Sequence, residues 1–398
     1  MDRYHQLAEQ FLQKFVAFQT VNGGEKALAS HIAEILSGYG FYTELQDIAE
    51  GRANIVAAYG HSDRVVVFTG HLDVVPAGDG WTIDDPFHVV CKDGRIYGRG
   101  TCDMKGGIAS MMAAAICLVE QGEIWDCELR LVFVADEEVD GLGTKHYVNR
   151  IKPTEDTIVI IGEPTELHPL IAHRGVTRFC VQLFGQQCHS GTPYEGVNAV
   201  YAAARFALRI EEFDKSRQNE KIGILPPPNM TVTISHTGVK ENVVPGTAKV
   251  IIDCRTVPGD TVETLQNSIE TILHKLFDGT KVTYELSSFI CVPPSSVPED
   301  DIVCLNVKAA YRKICGEEAL VTDCKGCCDM AYFCASGYSH TLLMGPGSMA
   351  QAHLVDEYIE ISQLHRAVDF YAEVVRQMKN NSILHQEGRF CATNEKLT

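Results

Sequence analysis

A histidine and an aspartate stand two residues apart directly after the apolar run RVVVFTG, as His71 and Asp73. In a β-strand, residues i and i+2 point to the same face, so both side chains can meet one site. That site would lie at the carboxyl end of the strand, where α/β sheets bind ligands. There the carboxylate can fix the tautomer of the histidine while its other ring nitrogen binds a metal ion. Taken alone, so short a motif is better explained by a surface turn.

Other acidic residues and a second histidine follow predicted elements in the same way. Asp103 lies in GRGTCDMKGG, between a strand and a buried helix, where a carboxylate could also simply cap the helix start. Glu137 and Glu138 end LRLVFVADEE, and Glu163 follows IVIIG. His353 comes after an apolar strand and a glycine-containing loop. Carboxylates there are costly to bury unless they are paired or bound to metal, although a solvated loop start would also explain the glutamate pair.

Two kinds of ligand site fit parts of this pattern. A dinucleotide-binding loop needs a third glycine after the G-x-G of Gly98 and Gly100, but Asp103 occupies that position. Nitrogen and oxygen ligands without thiolates suit Zn²⁺, Co²⁺ or Mn²⁺. A dinuclear site held by a bridging carboxylate could activate a water molecule between the two ions. The pattern therefore favours a dinuclear metal site.

The elements that must position these residues alternate between helix and strand. The spacing of apolar residues predicts helices in YHQLAEQFLQKFVAF and MKGGIASMMAAAICLVEQG, and strands in ANIVAAYG, RVVVFTG and TIVIIGEP. This alternation predicts a sheet covered by helices on both faces. After about Ala172 the order becomes βαββαβ, the ferredoxin-like motif. We expect a catalytic domain in residues 1–172 and 291–398, interrupted by an inserted domain in residues 173–290.

Composition limits the classes of partner. The chain has 398 residues and a formal net charge of −18, so its surface should repel nucleic acid and anionic lipid. The chain contains no run of eighteen apolar residues, so we expect no membrane-spanning helix. Its N-terminal residues do not resemble a signal peptide. The chain contains 15 cysteines, an odd number in no regular framework. We interpret them as reduced thiols and expect a cytoplasmic protein.

The blocks GHLDVVPAGDGW, IYGRGTCDMKGG, ADEE, GEPT, CHSG and GPGSMAQAHLVDEY occur in this order over nearly the whole chain. Together they resemble the signature blocks of the M20 metallopeptidase family, which includes acetylornithine deacetylase and succinyl-diaminopimelate desuccinylase. The resemblance implies an α/β zinc-peptidase-like catalytic domain with a mixed central sheet. It also implies that the inserted domain is a lid and dimerisation domain, and that the protein is a homodimer holding two Zn²⁺, with Co²⁺ or Mn²⁺ as substitutes.

The resemblance also implies a role for each metal-site residue. Asp103 would bridge the two ions, His71 and Glu163 would complete the ligands of one ion, and Glu138 and His353 those of the other. Asp73 would orient His71. Glu137 would be the general base that takes a proton from water. The peptide bond between Asp103 and Met104 would be cis.

Further roles fall on the inserted domain and on one divergent segment. His189 in CHSG would steady the oxyanion across the dimer, and Asn242 and Arg255 would hold the substrate carboxylate, although a lid salt bridge is the alternative for Arg255. Gly326 and Cys327 lie in KGCCDMAYF, where relatives have a Gly-Thr-Asp type stretch beside the substrate. With Cys324, Cys327 forms a CxxC pair, which a third metal or a redox switch could use. Two small side chains lining a pocket are the favoured interpretation.

From these roles we expect a metal-dependent hydrolase that cleaves the amide bond of an N-acyl amino acid. N-acetyl-L-ornithine is the first substrate hypothesis, succinyl-diaminopimelate the second, and a di- or tripeptide the third. An alternative from another class is a catalytically silent dimeric protein that binds an amino acid or a peptide. The complete set of metal ligands together with Glu137 argues against it, because an uncompensated acid cluster is expensive without metal.

Overall fold

The computed structural model describes residues 1–124 and 126–394 and divides the chain into two compact units. The first unit comprises residues 1–171, 297–322 and 328–398, and the second comprises residues 172–296 and 323–327. Within the described part of the chain, no helix is both long and apolar enough to cross a membrane.

In chain order the helices are α1 (Asp2–Val16), α2 (Glu25–Gly38), α3 (Lys105–Glu120), α4 (Leu142–Arg150), α5 (Ala199–Arg217), α6 (Val262–Phe277), α7 (Ile302–Cys315), α8 (Met330–Ala335) and α9 (Ile361–Asn394). The strands are β1 (Tyr42–Ala49), β2 (Arg52–Tyr59), β3 (Val65–His71), β4 (Val90–Lys92), β5 (Arg95–Tyr97), β6 (Glu128–Val134), β7 (Thr157–Pro164), β8 (Leu170–His173), β9 (Gly175–Phe184), β10 (Cys188–His189), β11 (Asn229–Thr237), β12 (Val243–Val244), β13 (Thr247–Thr256), β14 (Thr283–Val292), β15 (Ser295–Ser296), β16 (Thr322–Cys324), β17 (His340–Gly345) and β18 (Tyr358–Glu360).

The first unit is built on a mixed sheet with the strand order β1-β2-β6-β3-β7-β17-β8. The four strands β6, β3, β7 and β17 are mutually parallel, and the strands outside them pair antiparallel. Strand β3 is buried along its whole length, as its continuous apolar sequence requires for a strand covered on both faces. The carboxyl ends of the four parallel strands therefore share one edge of the sheet, where side chains from separate parts of the sequence can meet.

Helix α3 packs between the sheet and helices α1 and α9. Two glycines let its first turn approach the neighbouring backbone closely. A Cβ atom on Gly107 would lie 2.4 Å from the carbonyl oxygen of Gly162, and one on Gly106 would lie 2.4 Å from that of Thr101. Because backbone atoms cannot yield to such contacts, only glycine fits at these two positions. The close packing fixes the start of α3, and with it the residues that immediately precede the helix.

The second unit has the element order β9-α5-β11-β13-α6-β14 with short strands between. Its antiparallel sheet has the order β11-β13-β9-β14, the ferredoxin-like arrangement. Alternate residues of β9, such as Phe179 and Val181, pack with Phe206 of α5 and Ile269 of α6 to form the core. Helix α6 begins with a capping box between Thr261 and Thr264, and α5 with a side-chain cap from Asn198.

The mixed central sheet and the inserted βαββαβ motif confirm the fold expected from the sequence. The small sheet β18-β5-β4 was not predicted from the sequence. Its strands are only three residues long, too short for alternation to be recognised. This sheet matters for the site, because β5 leads into the segment that carries Asp103 and β18 follows the segment that carries His353.

Candidate active site

His71 is the last residue of β3, and its buried imidazole is held from both sides. The Nδ1 atom lies 2.9 Å from the backbone carbonyl oxygen of Asp73, which can only accept a hydrogen bond. The neutral ring therefore carries its proton on Nδ1 and keeps the lone pair of Nε2 for another partner. Asp103 lies on the Nε2 side of the ring, with its Oδ1 atom 2.9 Å from Nε2. His71 is thus oriented as a metal-binding histidine would be.

Asp103 stands between β5 and α3, and each of its carboxylate oxygens faces a different histidine. Oδ1 lies 2.9 Å from His71 Nε2, and Oδ2 lies 3.4 Å from His353 Nε2. A carboxylate placed in this way can contribute one oxygen to each of two cations. The peptide bond between Asp103 and Met104 is cis, as the family resemblance led us to expect.

One glutamate lies near each of the two histidines that face Asp103. On one side, Oε1 of Glu163 in β7 lies 3.9 Å from His71 Nε2. On the other, Oε1 of Glu138, which follows β6, lies 3.1 Å from His353 Nε2. One ligand atom each from His71, Asp103 and Glu138 lie within 4.8 Å of one another, so the two sides of Asp103 belong to one compact cluster. The structure therefore brings together all five residues that the sequence analysis singled out as ligands.

The electrostatics of this cluster are those of a site that needs cations. Hydrogen bonds that His353 donates to the carboxylates of Asp103 and Glu138 raise the pKa of His353 to about 10. Burial and the charge of Asp103 raise the pKa of Glu163 to about 8. Burial lowers the pKa of His71, but the hydrogen bond and charge of Asp103 outweigh burial and raise it well above its usual value. Crowded carboxylates hold protons tightly unless metal ions neutralise them.

Glu137 lies beside this cluster without being one of its five ligands. Burial raises the pKa of the Glu137 carboxyl well above its usual range, against the lowering effect of His71, and the charges of Asp329, Glu163 and Glu138 add to the rise. A carboxylate with an elevated pKa is a better proton acceptor near neutral pH than an exposed one. The position and the environment of Glu137 therefore suit a general base.

The carboxylate of Asp73 makes contacts that the sequence did not predict. Its Oδ1 accepts from the backbone amide of Glu137 at 3.2 Å, and its Oδ2 accepts from that of Glu138 at 3.0 Å. The same carboxylate lies 3.8 Å from His71 Nδ1, beyond hydrogen-bond range, and the backbone carbonyl of Asp73 makes that contact instead. Asp73 thus orients His71 through its backbone and the Glu137–Glu138 turn through its side chain.

Two further groups support the same turn and were missed by the sequence analysis. Arg52, at the start of β2, forms ion pairs with Asp136 and with Glu25, and so fixes the residue before Glu137. Asn54 accepts from the amide of Ala135 at 3.0 Å and donates to the carbonyl oxygen of Gly143 at 2.8 Å, which ties both ends of the turn to β2. Polar residues in an otherwise apolar strand were the signal that could have revealed them.

Asp329 is another buried acid that the sequence analysis did not single out. Its Oδ2 accepts from the Thr144 hydroxyl at 2.6 Å, and its Oδ1 has no hydrogen-bond partner among the described residues. Burial raises the pKa of Asp329 to about 6. Asp329 lies within KGCCDMAYF, a segment from which only Gly326 and Cys327 were chosen as substrate-binding candidates. A charged residue inside this unusual motif was the available signal.

The remaining candidates lie in the second unit. His189 is exposed on β10, and its Nδ1 accepts from the amide of Gly191 at 2.9 Å, so the neutral ring carries its proton on Nε2. His189 pairs with Val243 of β12, and the carbonyl oxygen of Asn242, the residue before β12, accepts from the amide of Ser190 at 3.0 Å. The structure thus brings His189 and Asn242 together on one exposed edge.

Arg255 and the divergent segment lie elsewhere in the same unit. The Nε atoms of Arg255 and Arg178 lie 2.9 Å from the two different carboxylate oxygens of Asp253. One acid therefore serves two arginines, which leaves a net positive charge on this part of β9 and β13. Gly326 is exposed, and the Cys327 thiol lies 3.2 Å from the carbonyl oxygen of Arg174.

Comparison with known proteins places the chain in a family. The sequence profile of peptidase family M20/M25/M40 matches residues 67–377. The chain is 27% identical over 391 residues to a probable succinyl-diaminopimelate desuccinylase of Staphylococcus aureus (strain N315), covering 92% of this chain and 95% of that protein. It is 29% identical over 360 residues to acetylornithine deacetylase of Proteus mirabilis (strain HI4320), covering 88% and 89% of the two chains.

Solved structures share the fold at lower identity. Aminopeptidase PepT from Bacillus cereus matches with a TM-score of 0.79 at 18% identity, over 94% of this chain and 99% of that one. A dinuclear metal binding peptidase of the M20 family from Bacillus subtilis matches with a TM-score of 0.68 at 16% identity, over 94% and 98% of the chains. Since the family profile spans most of its length, the chain belongs to peptidase family M20 and is a metallo-hydrolase.

Proposed function

We propose that the five clustered residues hold two divalent metal ions, with zinc as the first choice and cobalt or manganese as substitutes. Asp103 would bridge the ions, with His71 and Glu163 on one side and Glu138 and His353 on the other. The observation that carries this proposal is that the two oxygens of Asp103 face two different histidines, at 2.9 and 3.4 Å. Imidazole and carboxylate ligands without thiolates fit these metals.

The proposed reaction is hydrolysis of an amide bond. Divalent ions at this site would supply Lewis acidity, which lowers the pKa of water and polarises a carbonyl group. Glu137 would take the proton from the attacking water and then give it to the leaving amine. The backbone amide of Glu137 is held by Asp73, which keeps the base fixed while its carboxylate exchanges the proton.

We propose that the substrate is an N-acyl amino acid, with N-acetyl-L-ornithine first and succinyl-diaminopimelate second. The names of the two sequence relatives support this choice, since one is a deacetylase and the other a probable desuccinylase. A di- or tripeptide is the third candidate, supported by structural neighbours such as human carnosine dipeptidase 1. Hydrolysis of a panel of N-acyl amino acids and short peptides, with added Zn²⁺, Co²⁺ or Mn²⁺, tests the choice.

The inserted domain, residues 173–290, is proposed to act as the lid. His189 would donate a hydrogen bond to the oxyanion from Nε2, and the amide of Gly191 supports this role because it keeps the ring proton on that atom. Asn242 and Arg255 would bind the substrate carboxylate, for which the surplus positive charge around Asp253 is suitable. Gly326 and Cys327 are proposed to line the substrate pocket.

We further propose that a second copy of the chain docks on the outer strand of the lid. Strand β11 ends the sheet of the second unit, so one of its edges lies open to another strand. Exposed apolar side chains lie on this strand and on the helix that contacts it. They are Ile234 on β11 and Tyr201 and Leu208 on α5. Two such edges related by a twofold axis would pair antiparallel and cover each other. Sedimentation of the wild type and of Ile234→Lys tests this, since a charge at the edge should dissociate the dimer.

The competing hypothesis is a silent binding protein that uses the same residues to hold an amino acid or a peptide without turnover. It predicts that the purified protein lacks stoichiometric metal and hydrolyses none of the panel. Metal analysis, followed by the panel assay on the metal-loaded protein, separates the two functions. We favour the enzyme, because Glu137 lies half-buried beside His71 and the clustered acids, an arrangement that costs free energy in a protein without metal or turnover.

A further inference from the structure

One buried carboxylate outside the five clustered residues accepts several hydrogen bonds from the segment that carries Asp103. Glu357 directly precedes β18, and its side chain is fully buried. Its Oε1 accepts from the amides of Cys102 at 2.8 Å and Asp103 at 3.0 Å. Its Oε2 accepts from the amide of Gly100 at 3.0 Å and from Nη1 of Arg99 at 2.6 Å.

These contacts leave Glu357 with no capacity to bind metal. A carboxylate offers about four lone-pair positions, and four donors from residues 99–103 fill them. The arrangement also explains how the charge is tolerated in the interior, because hydrogen bonds to an ionised acceptor offset the loss of water. Arg99 is fixed in turn by the carbonyl oxygens of Pro76 and Ala77.

Glu357 also belongs to the segment that carries His353, which lies four residues earlier in the chain. Its backbone carbonyl oxygen accepts from the amide of Gly98 at 2.9 Å, which adds a fifth contact to the same segment. One residue therefore ties the segment of the bridging aspartate to the segment of a histidine on one side of it.

We propose that Glu357 is a positioning residue that sets the aim of Asp103 and, through it, the affinity of the site for its metal ions. The proposal rests on the proposed metal site and names a residue that binds neither metal nor substrate. Outer residues that hold metal ligands in place commonly change metal affinity by about 10- to 100-fold when they are replaced.

The test is the variant Glu357→Gln. It keeps the shape of the side chain but replaces one of the two accepting carboxylate oxygens with an NH₂ group. The amide oxygen can still accept from one pair of donors, whereas the NH₂ group would face N–H groups. We expect metal affinity, measured by titration of the metal-free protein with Zn²⁺ or Co²⁺ against a chromophoric chelator, to fall about 10- to 100-fold. The visible spectrum of the Co²⁺ protein should shift, and kcat at saturating metal should fall more than KM rises.

The matched control is Glu373→Gln. Glu373 is also a buried glutamate of the first unit, but among the described residues its hydrogen-bond and ion-pair partners are Lys313, Gln377 and Arg376, which lie outside the ligand segments. It should keep the metal affinity and the cobalt spectrum of the wild type. Glu357→Asp is the second variant in case Glu357→Gln does not fold. It retains the charge but cannot reach all four donors, and it should also bind metal more weakly.

Wild-type metal affinity and an unchanged cobalt spectrum in a folded Glu357 variant would overturn the proposal, whatever its activity. An equal loss of affinity in Glu373→Gln would do the same, because it would show a general effect of stability. Neither readout needs a substrate. If the wild type itself failed to bind two metal ions, the proposed function would fail first, and the two failures are therefore distinguishable.

Discussion

Single atoms decide what each residue of the candidate site can do. The backbone carbonyl of Asp73 leaves Nε2 of His71 available, and the amide of Gly191 leaves the proton of His189 on Nε2. One histidine is thereby prepared to accept a metal ion and the other to donate a hydrogen bond. The two rings therefore suit two different proposed roles, and the difference lies in one backbone contact for each ring.

Glu137 and Glu138 are adjacent in sequence but should differ in what their replacement removes. Glu137→Gln should lower kcat by about 10²- to 10⁴-fold, the usual contribution of a general base, and should retain both metal ions. Glu138→Gln should lose metal, since Glu138 offers an oxygen within 4.8 Å of the ligand atoms of His71 and Asp103. Metal content by atomic emission, alongside kcat, checks the pair. Loss of metal from Glu137→Gln would make it a ligand.

Metal uptake should release protons at neutral pH. In the metal-free protein the pKa of His353 is raised to about 10 and that of Glu163 to about 8, so both groups hold a proton at pH 7. Ligation requires the deprotonated forms, so metal affinity should rise from pH 6 to pH 8 and continue to rise towards pH 10. Calorimetric titration at pH 7 in PIPES and in Tris measures the released protons. The same apparent heat in both buffers would contradict the prediction.

At the scale of elements, the turn from β6 to α4 is held by several residues from other parts of the first unit. Asp73 holds the amides of Glu137 and Glu138, Arg52 holds Asp136, and Asn54 holds both ends of the turn. A turn that carries the proposed base and a proposed ligand needs such anchoring, because a displacement of about 1 Å can cost about 10²-fold in rate. The support comes from β2 and from the residues after β3.

Asp73→Asn should therefore weaken the site through Glu138. The amide group can accept from only one of the two backbone amides, so the turn should loosen and metal affinity should fall about 10- to 100-fold. In double-variant cycles on metal affinity, Asp73→Asn should be non-additive with Glu138→Gln and additive with Glu163→Gln. The reverse pattern would show that Asp73 acts on the His71 side instead. Circular dichroism checks that each variant remains folded.

Whether a residue could be predicted depends on how far along the sequence its contacting partners lie. His71, Glu137 and Glu163 were predicted because each follows an apolar strand, and parallel strands carry their carboxyl ends to one edge. Glu357 and Arg52 were not predicted, because they act through partners far away in sequence. Glu357 binds the amide of Asp103 across 254 positions, and Arg52 binds Asp136 across 84. Local patterns give the residues of the site but not the contacts that hold them.

At the scale of the whole molecule, the candidate residues are distributed over two units. The five proposed ligands and Glu137 belong to the first unit, and His189, Asn242 and Arg255 belong to the second. If the lid also forms the dimer, each active site would combine residues of two chains, and activity would depend on association. Activity per subunit should then fall on dilution below the dimer dissociation constant.

Mixed dimers test this sharing directly. His189→Ala and Glu137→Gln should each be nearly inactive, the first by about 10²- to 10³-fold for the loss of an oxyanion donor. When equal amounts are dissociated and reassociated, half of the dimers contain one chain of each kind. If His189 serves the partner's site, each mixed dimer has one site with both residues intact, and about a quarter of wild-type activity should return. The control mixes each variant with itself, which should recover nothing. If the mixture stays inactive while mass spectrometry confirms mixed dimers, His189 acts within its own chain or has no catalytic role.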